Sequence, residues 1–148
     1  MRRRAGFTLV ELMVVVAILG ILAATAMPLL KTWQQRAYGS EATLTLKSIL
    51  DGEIMYFLEK EHFFPEDGTT TLNIFKNDPP NKQEIQEVKD ALNVQIPVGH
   101  NLNFQIQTSP ADATGSCLVI ISASFNLFKG EVKQINGIVD SKGKVTIF

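Results

Sequence analysis

Residues 1–31 read MRRRAGFTLVELMVVVAILGILAATAMPLLK, and one carboxylate, Glu11, interrupts an otherwise apolar run from Phe7 to Leu30. As a helix, a run of about 24 residues spans roughly 36 Å, which covers a hydrocarbon core of about 30 Å. Three arginines precede the run and basic residues are sparser after it. The positive-inside rule therefore predicts a membrane helix with a cytoplasmic N-terminus and an exported remainder.

Glu11 needs an explanation, because an acidic side chain near the centre of a membrane helix costs about 2.5–3.5 kcal/mol and is usually retained with a partner. No Lys, Arg or His occurs between Phe7 and Leu30. A cation has to come from a neighbouring subunit or from a new amino group made by cutting the chain nearby. A cut between Gly6 and Phe7, one helical turn before Glu11, would create such an amino terminus.

The stretch Arg4–Glu11, RAGFTLVE, resembles the class III signal of type IV pilins and of the pseudopilins of type II secretion. In that family a prepilin peptidase cuts after the glycine and methylates the new N-terminal phenylalanine. The resemblance implies cleavage between Gly6 and Phe7 and methylation of Phe7. It also implies that Glu11 pairs with the amino terminus of an adjacent subunit during filament assembly.

Two further positions match the same family. Pro28 matches the proline that interrupts the hydrophobic helix, and Gly20 matches a position near which that helix loosens inside filaments. We therefore expect three parts: a leader over 1–6, a transmembrane and filament-core helix over 7–30, and an extracytoplasmic globular pilin domain over 31–148.

Three functions are compatible with this N-terminus. The favoured one is the structural subunit of a type IV pilus, held in the inner membrane and polymerised into an extracellular helical filament of identical subunits. Its implied partners are prepilin peptidase, the inner-membrane assembly platform and, before assembly, membrane lipid. The alternative is a pseudopilin of a type II secretion system, in a periplasmic fibre. The third is a secreted soluble binding domain, cut after Ala26 in the small-residue stretch Ala24–Ala26.

Beyond Pro28 no proline occurs until Pro65. Between them an apolar stripe recurs at helical period, which predicts one helix from about residue 7 to about 61. Gly39 and Gly52 lie within this helix, and each lowers helix stability by about 1 kcal/mol relative to alanine, but the stripe continues through both. The stripe consists of Ala42, Leu46, Ile49, Leu50, Ile54, Phe57 and Leu58. The charged residues between them are assigned to a solvated face, namely Lys47, Asp51, Glu53, Glu59 and Lys60.

Residues 65–80 read as a loop, and a second short helix is predicted after them. Asn81, with Glu84 three residues later, fits a capping box, and Pro97 with Gly99 ends the helix. One face of this helix carries Ile85, Val88 and Leu92.

Alternating apolar residues and turn signals from residue 101 onward predict about four strands in an antiparallel meander. Three of the strands are placed at Cys117–Phe125, Glu131–Val139 and Lys144–Phe148. A long helix packed on an antiparallel sheet is an α+β fold, which the resemblance also implies.

Candidate chemistry is sparse. The formal net charge is −1, with no basic patch beyond the first arginines, so no nucleic-acid partner is expected. The one cysteine, Cys117, lies in an apolar strand pattern and reads as a buried thiol. His62 has acids near it in sequence, namely Glu59, Glu61, Glu66 and Asp67, but the charged end of a helix in solvent explains this cluster better than a metal site. His100 has no partner in sequence, and the acidic spacing of the calcium loop of major pseudopilins does not occur. We expect no enzyme activity, cofactor or metal.

Overall fold

A computed structural model describes residues 6–66, 71–109 and 115–148. The first five residues of the expected leader, and residues 67–70 of the expected loop, lie outside this description. The predicted α+β fold is confirmed. Its elements are α1 (Leu9–Lys60), β1 (Thr71–Ile74), α2 (Gln83–Leu92), β2 (Asn103–Thr108), β3 (Ser116–Ser122), β4 (Gln134–Asp140) and β5 (Val145–Ile147).

The chain divides into two units, one ending at Gln34 and one that runs Gln35–Phe148. In the described part of the first unit, α1 begins at Leu9 and its apolar side chains are exposed. Part of α1 near the N-terminus is long and apolar enough to cross a membrane, and none of that stretch is buried within the chain. This helix is therefore a candidate membrane span.

In the second unit the sheet is a five-stranded meander, with neighbours in the order β1, β2, β3, β4, β5 and every pair antiparallel. The fifth strand is β1, which lies in the stretch that we expected to be a loop. Its Leu72 and Ile74 are buried and pair with Ile106 and Phe104 of β2. This cross-strand pairing, which four residues do not reveal by themselves, makes Thr71–Ile74 a strand.

Side chains from α1, α2 and the sheet share one hydrophobic core. The predicted stripe on α1 is correct for Ala42, Leu46, Ile49 and Leu50, which are all buried. It is wrong for Leu58, which is 73% exposed. The assignment of Glu53 to the solvated face is also wrong, because its side chain is completely buried.

The second helix begins later than predicted. Lys82 is the N-cap and makes no side-chain capping bond, and its N–H donates to the Pro79 carbonyl at 3.0 Å. That turn shifts the helix start by one residue, so the capping box of Asn81 does not form. At the other end Asn93 stops the helix in the left-handed conformation, as C-caps commonly do. The predicted buried face is confirmed for Ile85, Val88 and Leu92.

Candidate assembly site

The first turn of α1 is held by a reciprocal contact between Thr8 and Glu11. The Thr8 backbone N–H and the Thr8 hydroxyl each donate to Glu11 Oε2, both at 2.8 Å. The Glu11 N–H donates in turn to Thr8 Oγ1 at 3.2 Å. This is a capping box, in which two backbone donors that the helix cannot satisfy find side-chain acceptors.

The capping box gives Glu11 a role inside its own chain that the sequence reasoning missed. The signal was present as Thr8-Leu9-Val10-Glu11, a threonine followed three residues later by glutamate. Both donors from Thr8 go to Oε2, so among the described residues the second carboxylate oxygen is left for another donor. The geometry therefore allows Glu11 to cap its own helix and to accept a bond from outside at the same time.

The bond predicted to be cut lies just before this cap. Gly6, Phe7 and Thr8 precede the helix and have no regular secondary structure. Phe7 is 83% exposed, and a Cβ added at Gly6 would meet nothing within 4 Å among the residues that the structure describes. A bond in exposed, non-helical backbone is accessible to a peptidase without unwinding a helix.

The other two predicted residues lie within α1, apart from Glu11. A Cβ added at Gly20 would likewise meet no described residue within 4 Å, so no close contact within the described part of the chain requires glycine there. Pro28 lies inside the helix, where it removes one backbone donor. The Thr32 hydroxyl donates to the Pro28 carbonyl at 3.2 Å, one turn later. Among the five predicted residues, the described structure brings only Gly6 and Phe7 next to each other, as chain neighbours.

A second cluster lies in the core of the globular unit, around Glu53. Its Oε2 accepts the Phe64 N–H at 3.0 Å, while Oε1 has no hydrogen-bond partner among the described residues. Burial raises the pKa of the Glu53 carboxyl from 4.5 to about 8, although the bond from Phe64 opposes the shift. The acid is therefore mostly protonated at neutral pH, and it holds the chain that follows α1 against the helix.

Cys117 lies in this cluster and is confirmed as a buried strand thiol, with no exposed surface. Its Sγ is 3.9 Å from the Phe64 carbonyl oxygen. Burial, and then the charge of Glu53, raise the pKa of the thiol. Since the thiolate is the reactive form, this arrangement is that of a packing residue and not of a nucleophile.

The two histidines occupy different settings. His100 is 3% exposed, and its Nδ1 lies 2.8 Å from the Leu102 carbonyl oxygen, so Nδ1 is the donor. His62 is exposed and its ring lies edge-on to Tyr56, at 5.7 Å between centroids. Within the described ranges no group of three His, Cys, Asp or Glu side chains is arranged to hold a metal ion.

Comparison with known proteins adds to this geometry. Residues 1–27 match the family model of the prokaryotic N-terminal methylation motif. The chain is 48% identical over 61 residues to the type IV major pilin protein PilA of Myxococcus xanthus, a match that covers 41% of this chain and 28% of PilA. It is 43% identical over 65 residues to the type IV major pilin protein PilE of Neisseria gonorrhoeae, covering 44% of this chain and 38% of PilE.

A longer match is to a fimbrial protein of Neisseria meningitidis serogroup A, with 34% identity over 103 residues. It covers 69% of this chain and 60% of that protein. The chain thus spans less than two thirds of the length of each of these relatives. No solved structure matches the chain significantly. The predicted resemblance is confirmed: the chain carries the prokaryotic N-terminal methylation motif and is similar to the type IV major pilins.

Proposed function

We propose that this chain is the structural subunit of a type IV pilus. The observation that carries the proposal is the methylation motif over residues 1–27, together with the similarity to type IV major pilins. These relatives favour a pilus over a secretion pseudopilus. They are structural proteins by name, in keeping with a subunit whose work is assembly and not catalysis.

Processing comes first in this proposal. Prepilin peptidase removes the leader over residues 1–6 by cutting between Gly6 and Phe7, and the new amino group of Phe7 is methylated. The exposure of Phe7 and the lack of helix before Leu9 support a cut at this bond. The cut leaves the capping box intact, because Thr8 and Glu11 both stay in the mature chain.

Before assembly, the mature chain lies in the inner membrane. Residues 7–30 span the bilayer with the N-terminus on the cytoplasmic side, and residues 31–148 form the extracytoplasmic domain. The uncovered apolar surface of this part of α1 supports the span, and the three leading arginines support the orientation. An assembly platform in the inner membrane would move the subunit from lipid into the fibre.

In the fibre, the helix over residues 7–30 would exchange lipid contacts for contacts with copies of itself, with Gly20 and Pro28 giving it local freedom. Glu11 would set the position of each incoming subunit. Thr8 donates two hydrogen bonds to Glu11 Oε2. The other carboxylate oxygen can therefore accept a hydrogen bond from the N-terminal ammonium group of the methylated Phe7 of a neighbouring subunit. Such an ion pair is strong in a low-dielectric surrounding, which would offset the cost of keeping a carboxylate in lipid.

The first test is mass spectrometry of the N-terminal peptide from fibres sheared off the cell surface. We expect a peptide that begins with methylated Phe7. Protein found only in the cell envelope, however processed, would instead indicate a secretion pseudopilin, and a mature chain that begins at Met27 would indicate a secreted domain. A Glu11→Val variant should stay in the membrane without forming fibres.

A further inference from the structure

A groove in the globular unit runs between α1 and the segment that follows α2. Three large apolar side chains of α1 line it and are exposed: Leu44 at 67%, Met55 at 68% and Leu58 at 73%. Their spacings of three and eleven residues place them on one side of the helix. Met55 and Leu58 are neighbours on the helix, and Leu44 lies three turns earlier, so the exposed apolar surface is concentrated at the Met55 end of the groove, which is a candidate interaction site.

The groove is also acidic. Asp51, Glu59 and Asp90 line it, and the lining contains no Lys or Arg among the residues described for it. The ion pairs formed within the described chain involve only Lys82 with Asp78 and Glu84. The groove acids therefore keep their charge available, and a partner for this surface should be apolar with a basic margin.

A surface with those properties lies on the same unit, on the hairpin formed by β4 and β5. Val145 and Ile147 pair with Val139 and Gly137. Paired residues point to the same face of a sheet, and Gly137 faces Leu50 of α1. Val145 and Ile147 thus lie on the core side of the sheet, yet they are 38% and 40% exposed. In the described sheet β5 has a neighbour on one side only.

The hairpin has a basic margin. Lys142 and Lys144, in the turn and at the entry to β5, are both exposed. The nearby acid, Asp140, uses Oδ1 to accept the backbone N–H groups of these two lysines, at 3.0 and 2.9 Å. It thereby shapes the turn, and the two ammonium groups form no ion pair within the described residues.

We propose that the β4–β5 hairpin of one copy of this chain docks in the groove of another copy. Val145 and Ile147 would cover Met55 and Leu58, and the two lysines would face Asp51 and Glu59. The inference rests on the proposed function, which brings copies side by side. Since the groove and the hairpin are different surfaces, the contact is heterologous, and its repetition produces an open helical fibre where the rotation between copies does not close a ring.

Charge reversal tests the contact in cells that make the fibre from the full chain. One variant carries Asp51→Lys and Glu59→Lys, and a second carries Lys142→Glu and Lys144→Glu. Each should reduce the yield of sheared fibres at least about tenfold, which corresponds to about 1.4 kcal/mol per contact. The variant with all four changes should recover most of the wild-type yield, because the charges are again complementary.

The matched control is Glu84→Lys with Glu87→Lys, which reverses two acids on α2 outside the groove lining. It should leave the fibre yield unchanged. Equal amounts of each variant in the membrane, measured by immunoblot, separate an assembly defect from a folding defect. Normal yield in both reversal variants, or no recovery in the fourfold variant at equal membrane levels, would overturn the docking.

Cross-linking gives an independent readout. With Met55→Cys and Ile147→Cys in one chain, mild oxidation should produce a ladder of disulfide-linked multimers, whereas either cysteine alone should not. Dimers from a single variant, or fibres without a ladder, would overturn the heterologous contact. Wild-type cells without fibres would overturn the proposed pilus function, and the ladder in membranes would then decide the docking by itself.

Discussion

Glu53 is an acidic residue buried in the hydrophobic core of the globular unit. Its side chain is fully buried, with one oxygen bound to the Phe64 N–H and the other without a partner among the described residues. A buried carboxylate is costly unless it is paired, and the neutral acid avoids that cost. Glu53 therefore fastens the end of α1 as a protonated group.

The stability of the folded chain should consequently depend on pH. Because the pKa of Glu53 is raised from 4.5 in the unfolded chain to about 8 in the folded chain, the folded state binds more protons between these values. Its contribution to the free energy of unfolding is complete below about pH 4.5 and is lost as pH rises through 8. We expect a loss on the order of a few kcal/mol, measured by urea unfolding of the detergent-solubilised chain at pH 5 to 8.5.

Glu53→Gln is the matched variant, because the amide keeps the shape and can still accept the Phe64 N–H. It removes the titrating group, so its free energy of unfolding should vary much less over the same pH interval. If the two proteins lose stability in parallel between pH 5 and 8, Glu53 does not carry the dependence and its folded pKa is not raised.

The burial of Glu53 could have been predicted from spacing. It follows Ile49 by four residues, Leu46 by seven and Ala42 by eleven, all helical repeats of the buried face. Leu58 follows Ile49 by nine residues, which places it on the opposite side of the helix. Judging each position by residue type and not by its angle on the helix caused both errors. The residues that surround the Glu53 carboxyl, by contrast, include Phe64 and Cys117. Both lie farther along the chain than α1, so helical spacing could not predict these neighbours.

At the scale of elements, α1 depends on two glycines for close approach to other parts of the unit. A Cβ at Gly39 would lie 2.5 Å from the Leu127 carbonyl oxygen, and one at Gly52 would lie 2.7 Å from the Leu92 carbonyl oxygen and 2.9 Å from Leu92 Cβ. Both obstacles include backbone, which cannot rotate away. The sequence shows these glycines only as weak points of a helix, because their partners lie far along the chain.

Gly52→Ala should therefore destabilise the chain although alanine is the better helix former. The gain in helix propensity is about 1 kcal/mol, whereas forcing a methyl group into a packed contact costs typically about 1–3 kcal/mol and displaces α2. We expect a net loss of about 1–2 kcal/mol in the free energy of unfolding, measured by urea unfolding.

Ser48→Ala is the control for that substitution, since Ser48 is an exposed position of the same helix. It should change the free energy of unfolding by less than about 0.5 kcal/mol. A Gly52→Ala chain that is more stable than wild type would show that α1 and α2 can separate without cost, contrary to the packing described.

At the scale of the whole molecule, the structure of some parts of the chain can be predicted from the sequence and that of others cannot. The N-terminal methylation motif and the apolar span are contiguous, so both could be predicted from a short stretch of sequence. The groove joins residues 44–59 of α1 to residues 90–95, and the core side of β4 and β5 is the side that faces Leu50, far earlier in the chain. No local pattern of apolar and charged residues indicates that these segments meet.

Two substitutions separate the cap that Glu11 forms inside its own chain from the charge that we propose it offers to a neighbouring subunit. Glu11→Gln keeps an oxygen for the Thr8 N–H but removes the negative charge. If the charge positions each incoming subunit, this variant should be cut and held in the membrane normally, while its fibre yield falls at least about tenfold. The yield is measured by shearing and immunoblot.

Thr8→Ala is the opposite variant, because it retains the charge of Glu11 and the backbone N–H that caps it but removes the hydroxyl. Losing that part of the cap should weaken the start of α1 by about 1 kcal/mol, and fibres should still form. Faster amide hydrogen exchange at Glu11, whose N–H donates to the Thr8 hydroxyl, would show the weakened first turn. If Glu11→Gln made normal fibres and Thr8→Ala made none, the cap, and not the charge, would be what assembly requires of Glu11.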